Sequence, residues 1–123
     1  MKIILDTNFL LIPAQFSVDI YSQLRSNGYN EFITMSACID ELEKLKAQKK
    51  HEKHIKIALE LLKKNSVSVV QTSIGADAEI ADYACDEHNK IAVATLDIAL
   101  IKALKKKGVK VIRLRQKKYI VEA

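Results

Sequence analysis

Short apolar runs alternate with longer segments of helical periodicity along the whole chain. Because they are short, mainly apolar and bounded by polar residues, five runs predict β-strands: 2–5, 31–35, 67–70, 91–94 and 109–114. Between them, apolar residues recur every three or four positions, which is typical of amphipathic helices. This alternation predicts an α/β domain with a mainly parallel sheet covered by helices on both faces.

Polar and breaker residues predict where the helices begin and end. The first helix begins after Asp6 and is expected to end near Pro13, and the second spans about Val18 to Ser26 before Asn27-Gly28. Ser36 is expected to cap the next helix. The later helices are predicted to end near residue 64, to span about 77–88, and to span about 98–107.

Length and composition favour a single globular domain over residues 1–123. Nearly half of the residues are hydrophobic and more than a quarter are charged, which is ordinary for a folded domain. No apolar run is as long as a membrane span, and the first residues lack the pattern of a secretory signal. Cys38 and Cys85 have no metal or redox spacing, so we expect buried thiols in a cytoplasmic protein, although pairing stays open.

The net charge is +5, and the positive charge is unevenly distributed. Lysines are concentrated at 44–64 and 102–118. A basic surface around a local group of acids suits a polyanion such as nucleic acid together with a divalent cation. A solvated lysine-rich surface without a ligand is the alternative that charge alone leaves open.

Four acids stand where they could form one site. Asp6 and Asp97 each follow an apolar strand, and the carboxyl ends of parallel strands are where ligands bind. Glu41 lies at helical spacing from Cys38 and Leu45, which predicts an inward orientation. Asp77 begins the helix before the strand at 91–94. Each acid taken singly could instead cap a helix or pair with a lysine.

Carboxylates that converge at one sheet edge repel each other, so at least one is expected to have a raised pKa. A divalent cation relieves this repulsion, and ligands that are all oxygen suit Mg²⁺ or Mn²⁺. Such a site could hydrolyse a phosphodiester by activating water and offsetting charge on the leaving oxygen. The outward acids Glu79, Asp82 and Asp86 are expected to be ordinary surface carboxylates.

Four fragments, in this order and at these separations, resemble the PIN-domain ribonucleases. They are Ile3-Ile4-Leu5-Asp6-Thr7-Asn8, Ile39-Asp40-Glu41-Leu42-Glu43-Lys44-Leu45, Ala76-Asp77-Ala78-Glu79-Ile80-Ala81 and Ala92-Val93-Ala94-Thr95-Leu96-Asp97. The resemblance covers essentially the whole chain. It implies a three-layer α/β/α sandwich around a five-stranded parallel sheet and cleavage of single-stranded RNA with Mg²⁺ or Mn²⁺.

By this resemblance, Asp6, Glu41, Asp77 and Asp97 are the catalytic and metal-binding acids, and Asn8 and Thr95 are supporting polar groups. Leu96 departs from the family pattern, since many relatives carry a polar or basic residue there. The small size resembles toxin ribonucleases of the VapC type, which implies an antitoxin partner. The basic end, residues 111–115, resembles archaeal relatives of PIN proteins that process ribosomal RNA, which implies a ribosome-assembly partner.

Four questions stay open at this point. The chain could be a PIN module that binds RNA or protein without cutting, and a homodimer is one candidate oligomeric state. His51 and His54 have no further ligand spacing, so they are a weak metal candidate. Aromatic rings can stack on unpaired bases, but tyrosines are more often packing residues; the four in this chain are Tyr21, Tyr29, Tyr83 and Tyr119.

Overall fold

The computed structural model describes residues 1–72, 76–84 and 91–123, and the side chains of residues 76, 77 and 79 lie outside the described part. The strands are β1 (Lys2–Leu5), β2 (Glu31–Met35), β3 (Ser68–Val70), β4 (Ile91–Ala94), β5 (Val111–Arg115) and β6 (Tyr119–Glu122). They form one sheet in the order β3-β2-β1-β4-β5-β6. The five predicted strands are confirmed and pair in parallel. The sequence prediction missed β6, which pairs antiparallel to β5.

The helices of the described residues are α1 (Thr7–Leu10), α2 (Ile12–Phe16), α3 (Ile20–Ser26), α4 (Ser36–Ala47), α5 (Glu52–Lys64), α6 (Ala76–Ala84) and α7 (Ile98–Lys106). The first helix ends at Leu10, close to the expected end near Pro13, but the sequence prediction missed α2. Pro13 lies in the first turn of α2, where its missing N–H leaves no hydrogen bond unmade. The predicted extension of α6 to residue 88 lies outside the described residues. Nowhere in the described ranges does a helix combine the length and apolarity needed to cross a bilayer.

The order of the strands places the helices in two layers. The connections from β1 to β2 and from β2 to β3 step in one direction across the sheet, and those from β3 to β4 and from β4 to β5 step in the other. Since parallel crossovers are right-handed, the two directions put α1–α5 on one face and α6 and α7 on the opposite face. This is the three-layer arrangement that the resemblance implied.

At the centre of the sheet, β4 is buried throughout and β1 is buried from its second residue onward. Strands β1 and β4 are neighbours, and Leu5 lies opposite Ala94 in their parallel register. The residues that follow these two strands therefore leave the sheet side by side at its carboxyl edge. The Asp6 N–H donates to the Ala94 carbonyl at 3.0 Å, which extends the pairing by one residue.

The prediction that Ser36 caps α4 is wrong. Ser36 is the first helical residue, and Met35 occupies the N-cap position. The Ser36 Oγ accepts a hydrogen bond from Thr72 N at 2.8 Å and lies 2.9 Å from Thr72 Oγ1. Thr72 Oγ1 in turn accepts from the Ala37 N–H at 3.1 Å. The hydroxyl of a residue beyond β3 therefore satisfies the backbone at the start of α4, and the two chain segments are tied together.

Candidate active site at the carboxyl edge of the sheet

Asp6 is the most buried of the three described acids of the candidate site, with 5% of its surface exposed. The chain turns from β1 into α1 at this residue, and Asp6 Oδ1 accepts a hydrogen bond from Thr7 N at 2.8 Å. This is the capping role that a single acid after a strand predicts. The second oxygen, Oδ2, is held by Thr95 Oγ1, which donates to it at 2.7 Å.

Thr95 joins the two strand ends chemically. Its side chain is fully buried, and its hydroxyl both donates to Asp6 and accepts from the Asp97 N–H at 3.1 Å. Asn8 makes a second connection, since its Oδ1 accepts from the Leu96 N–H at 3.1 Å. The two polar residues expected to support the site therefore hold the segment after β4 against the segment after β1. The Leu96 contact uses the backbone, so it does not depend on the unusual side chain there.

Asp97 both caps a helix and lines the cleft, which the sequence analysis treated as alternatives. One oxygen, Oδ1, caps α7 by accepting from the Leu100 N–H at 3.2 Å. The residue also lines the same cleft as Asp6. Capping and membership of a site are compatible, because a carboxylate has a second oxygen and further lone pairs.

Glu41 reaches the cleft from α4, but the predicted inward orientation is wrong. Cys38 is fully buried on this helix, whereas Glu41 is exposed. It lies at the margin of the helix face that packs on the core, where its side chain borders the cleft. An exposed carboxylate avoids the free-energy penalty of burying a second charge beside Asp6.

The cleft has a volume of about 320 Å³ and is lined by Asp6, Thr7, Asn8, Leu11, Glu41, Leu45 and Asp97. Its electrostatics follow from its three acids. Burial raises the pKa of Asp6 above its ordinary value, and the negative charges of Glu41 and Asp97 raise it further. The hydrogen bonds from Thr95 and Thr7 act in the opposite direction without cancelling this effect. A raised pKa for at least one acid is what a converging cluster predicts.

The fourth expected acid, Asp77, lies in the first turn of α6, but its side chain is outside the described part of the structure. Its place in the site stays a prediction. Among the described side chains, no group of three or more Asp, Glu, His or Cys residues is arranged closely enough to hold a metal ion. The rings of His51 and His54 stack with centroids 6.1 Å apart, but among the described side chains no third ligand completes a metal site there.

The donor set of the cleft fits a hard cation. Its acids offer only carboxylate oxygens, and none of the described groups that shift the pKa of Asp6 is positively charged. Mg²⁺ is commonly held by one or two carboxylates with waters completing the octahedron, so a preformed cage of protein ligands is not required. Asp6, Asp97 and Glu41 are the described residues that could hold such an ion.

Sequence reasoning missed a small polar group beneath Asp6. Cys38 Sγ lies 3.8 Å from Asp6 Oδ1, and burial raises the pKa of this thiol, so it stays protonated and does not add negative charge. Thr34 Oγ1 donates to the Leu5 carbonyl at 2.8 Å beside it. Cys38 was recognised as inward-facing, but its spacing could not reveal that Asp6, distant in sequence, lies above it.

Comparison with known proteins agrees with this architecture. Residues 3–117 match the family model described as PIN like domain. Ribonuclease VapC4 of Methanocaldococcus jannaschii is 33% identical in sequence, and the match covers 96% of this chain and 93% of the relative.

Two solved structures share the fold. One, titled as the structure of the PIN domain endonuclease Utp24, superposes with a TM-score of 0.78 at 24% identity and covers 98% of this chain and 90% of its own. A domain of a functionally unknown protein from Methanocaldococcus jannaschii superposes with a TM-score of 0.60 at 15% identity and covers 93% and 91%. The family match and the 33% identity together show that this chain belongs to the PIN-like domain family.

Proposed function

We propose that this chain is a Mg²⁺- or Mn²⁺-dependent endoribonuclease that hydrolyses phosphodiester bonds in single-stranded RNA. The observation that carries the proposal is the convergence of Asp6, Glu41 and Asp97 on one cleft at the carboxyl edge of the sheet. The proposal is supported by a relative named a ribonuclease at 33% identity over nearly the full length of both chains.

In this proposal Asp6 and Asp97 hold the metal, Glu41 holds metal or orients the attacking water, and Asp77 completes the acidic group. A Mg²⁺ or Mn²⁺ ion would supply a Lewis acid for the scissile phosphate and a water of lowered pKa. The chain itself supplies the positioning. Thr95 and the Thr7 N–H hold both oxygens of Asp6 in fixed directions. Asn8 keeps the turn that carries Asp97 in register with α1.

Exchange of the buried acid tests the proposal. Asp6→Asn preserves the shape of the side chain and should abolish RNA cleavage, measured on labelled single-stranded oligonucleotides with millimolar Mn²⁺. The matched control is Asp82→Asn, the same chemical change at an exposed position of α6, and it should keep the wild-type rate. Full activity in a folded Asp6→Asn protein would show that the site is assigned wrongly.

A PIN module that binds RNA or protein without cleavage is the second candidate. It shares the fold and the cleft but predicts that no metal binds at Asp6, Glu41 and Asp97. The two readings differ in their response to metal, because an ion that binds only the folded state raises the melting temperature. Melts with and without millimolar Mn²⁺ should show a rise that Asp6→Asn removes. If Mn²⁺ produces no rise and no RNA is cut, the binding module is the correct reading.

For the cellular role we propose two alternatives, which the sequence also suggested: a toxin of the VapC type or a nuclease that processes ribosomal RNA. A VapC-type toxin would require an antitoxin partner, whereas a role in processing ribosomal RNA would require a ribosome-assembly partner. Both roles use the same acidic cleft. Co-purification of the endogenous protein separates them, since a small stoichiometric partner indicates the toxin and pre-ribosomal particles indicate the processing role.

A further inference from the structure

Tyr119 differs from the other tyrosines in its exposure. Tyr21 and Tyr29 are buried, at 2% and 3% exposure, and Tyr83 is half-buried. Tyr119 is 55% exposed, at the first position of β6. Packing in the core does not explain a large aromatic ring that is exposed to solvent on a strand. An exposed aromatic face can, however, stack on an unpaired base.

Two arginines share the strand face of Tyr119. In the antiparallel pair of β5 and β6, Arg115 lies directly opposite Tyr119, and Arg113 lies opposite Val121. Residues directly opposite each other project from the same face, with Cβ atoms about 5 Å apart. Arg113 and Arg115 alternate with the half-buried Leu114 and are both exposed. We call the surface formed by Arg113, Arg115 and Tyr119 the hairpin face.

A tight turn and a side-chain clamp fix the geometry of this hairpin. The Lys118 N–H donates to the Arg115 carbonyl at 3.0 Å, and both central residues of the turn have φ near +55°. Such turns match the twist of paired strands and set their register. On the outer edge, Gln23 donates from Nε2 to the Lys118 carbonyl and accepts at Oε1 from the Ile120 N–H, both at 2.9 Å. These contacts occupy two of the backbone groups that an added β-strand would need at this edge.

The charge of the hairpin face suits an anion. Lys117 and Lys118 extend the positive charge into the turn. The ion pair in this hairpin is at its other end, where Lys110 and Glu122 approach to 3.8 Å. Within residues 1–72, 76–84 and 91–123, no carboxylate forms an ion pair with Arg113 or Arg115. Guanidinium groups with this freedom can bind phosphates through paired N–H donors.

The sheet order places this face beside the acidic cleft. Strand β5 is the neighbour of β4 and parallel to it, so Arg115 ends β5 at the same carboxyl edge at which Asp97 follows β4. With strands about 4.8 Å apart, β6 lies about 10 Å from β4. A single strand crossing this edge from the acids would reach the hairpin face within a few nucleotides.

We propose that the hairpin face is a subsite for unpaired RNA outside the acidic cleft, in which Tyr119 stacks on a base and Arg113 and Arg115 bind the flanking phosphates. The inference rests on the proposed ribonuclease function for the identity of the polyanion. It adds a recognition element that the acids do not supply, because carboxylates with a metal act on the backbone and do not contact a base.

Binding without metal tests the subsite separately from cleavage. The affinity of a labelled 12-nucleotide oligouridine would be measured by fluorescence anisotropy in EDTA over a series of salt concentrations. Tyr119→Leu should weaken binding about tenfold without changing the salt dependence, and Tyr119→Phe should restore it. Arg115→Gln should reduce the slope of log affinity against log salt by about 0.7. Lys56→Gln on α5 removes one charge elsewhere and should leave the affinity near wild type.

Three results would overturn the inference: unchanged binding by Tyr119→Leu, equal competition by a 12-base-pair RNA duplex, or equal competition by polyglutamate. The last would assign the face to an acidic protein partner. If Asp6→Asn still cleaves while Tyr119→Leu loses binding, the proposed catalytic site fails and the subsite stands. The reverse pattern rejects the subsite alone.

Discussion

Replacement of Thr95 by valine isolates the contact between the two strand ends. Valine has nearly the same shape as threonine, so the change removes the hydroxyl and leaves no sizeable cavity. The hydroxyl is fully buried and donates to Asp6 Oδ2 at 2.7 Å. A hydrogen bond to a charged group contributes about 1.5–3 kcal/mol, against about 1 kcal/mol for a neutral pair. The variant also removes the acceptor of the Asp97 N–H, so we expect a loss of about 2–4 kcal/mol.

For a chain of 123 residues, about 1 kcal/mol corresponds to about 4 °C in melting temperature. Thr95→Val should therefore melt about 8–16 °C below the wild type in EDTA near neutral pH. Thr34→Val is the matched control, because Thr34 is equally buried but donates to a neutral acceptor, the Leu5 carbonyl. It should lower the melting temperature by about 2–6 °C.

The pH dependence separates electrostatics from packing. Once Asp6 is protonated, the bond from Thr95 is no longer charge-assisted, so the loss in Thr95→Val should shrink as the pH falls through the raised pKa of Asp6. The loss in Thr34→Val should stay constant, and Thr95→Ser should recover most of the stability. Equal losses in the two valine variants, or a pH-independent loss in Thr95→Val, would refute the reasoning.

Two further predictions concern the same cleft. Burial and the charges of Glu41 and Asp97 raise the pKa of Asp6 in the folded protein. The Asp6 carboxyl therefore contributes most to stability below its unfolded pKa of about 3.8. This contribution is lost as the pH rises through the folded pKa. In EDTA, Asp6→Asn should therefore gain stability relative to the wild type as the pH rises from about 3.8 through the raised folded pKa of Asp6. Melts at stepped pH would show this, and a constant difference would contradict it. Asn8→Ala removes the acceptor of the Leu96 N–H and should lower Mn²⁺ affinity by calorimetry more than melting temperature, whereas Asn8→Asp should retain binding; unchanged affinity in Asn8→Ala would exclude a positioning role.

Local pattern was sufficient for most of the fold. The strands at 31–35 and 91–94 have the predicted bounds, because a run of apolar residues between polar ones is decided by neighbours in sequence. The predicted parallel sheet followed from the alternation of strands and helices, whose crossovers allow few topologies. Strand β6 was missed because its few residues follow a lysine-rich turn, and its pairing with β5 depends on that turn and on contacts from Gln23.

The candidate site shows the same division. Asp6, Glu41 and Asp97 could be named from sequence because of their positions taken together: two follow strands, and one lies at helical spacing from apolar positions of its helix. The burial of these acids could not be predicted from sequence, because it depends on what packs around each side chain. Asp6 is 5% exposed whereas Glu41 is exposed, and the pattern along α4 could not distinguish the margin of a helix face from its centre.

The sequence by itself determined the five parallel strands, most of the helices and the acids to consider for a site, because these follow from periodicity and side-chain chemistry over a few residues. Tertiary structure alone decided that Thr95 donates to an acid 89 positions earlier in the chain. It also decided that Arg115 lies opposite Tyr119 on an exposed face. Both contacts arise from the register between strands, which is set by the packing of the whole sheet and carries no local signal in either segment.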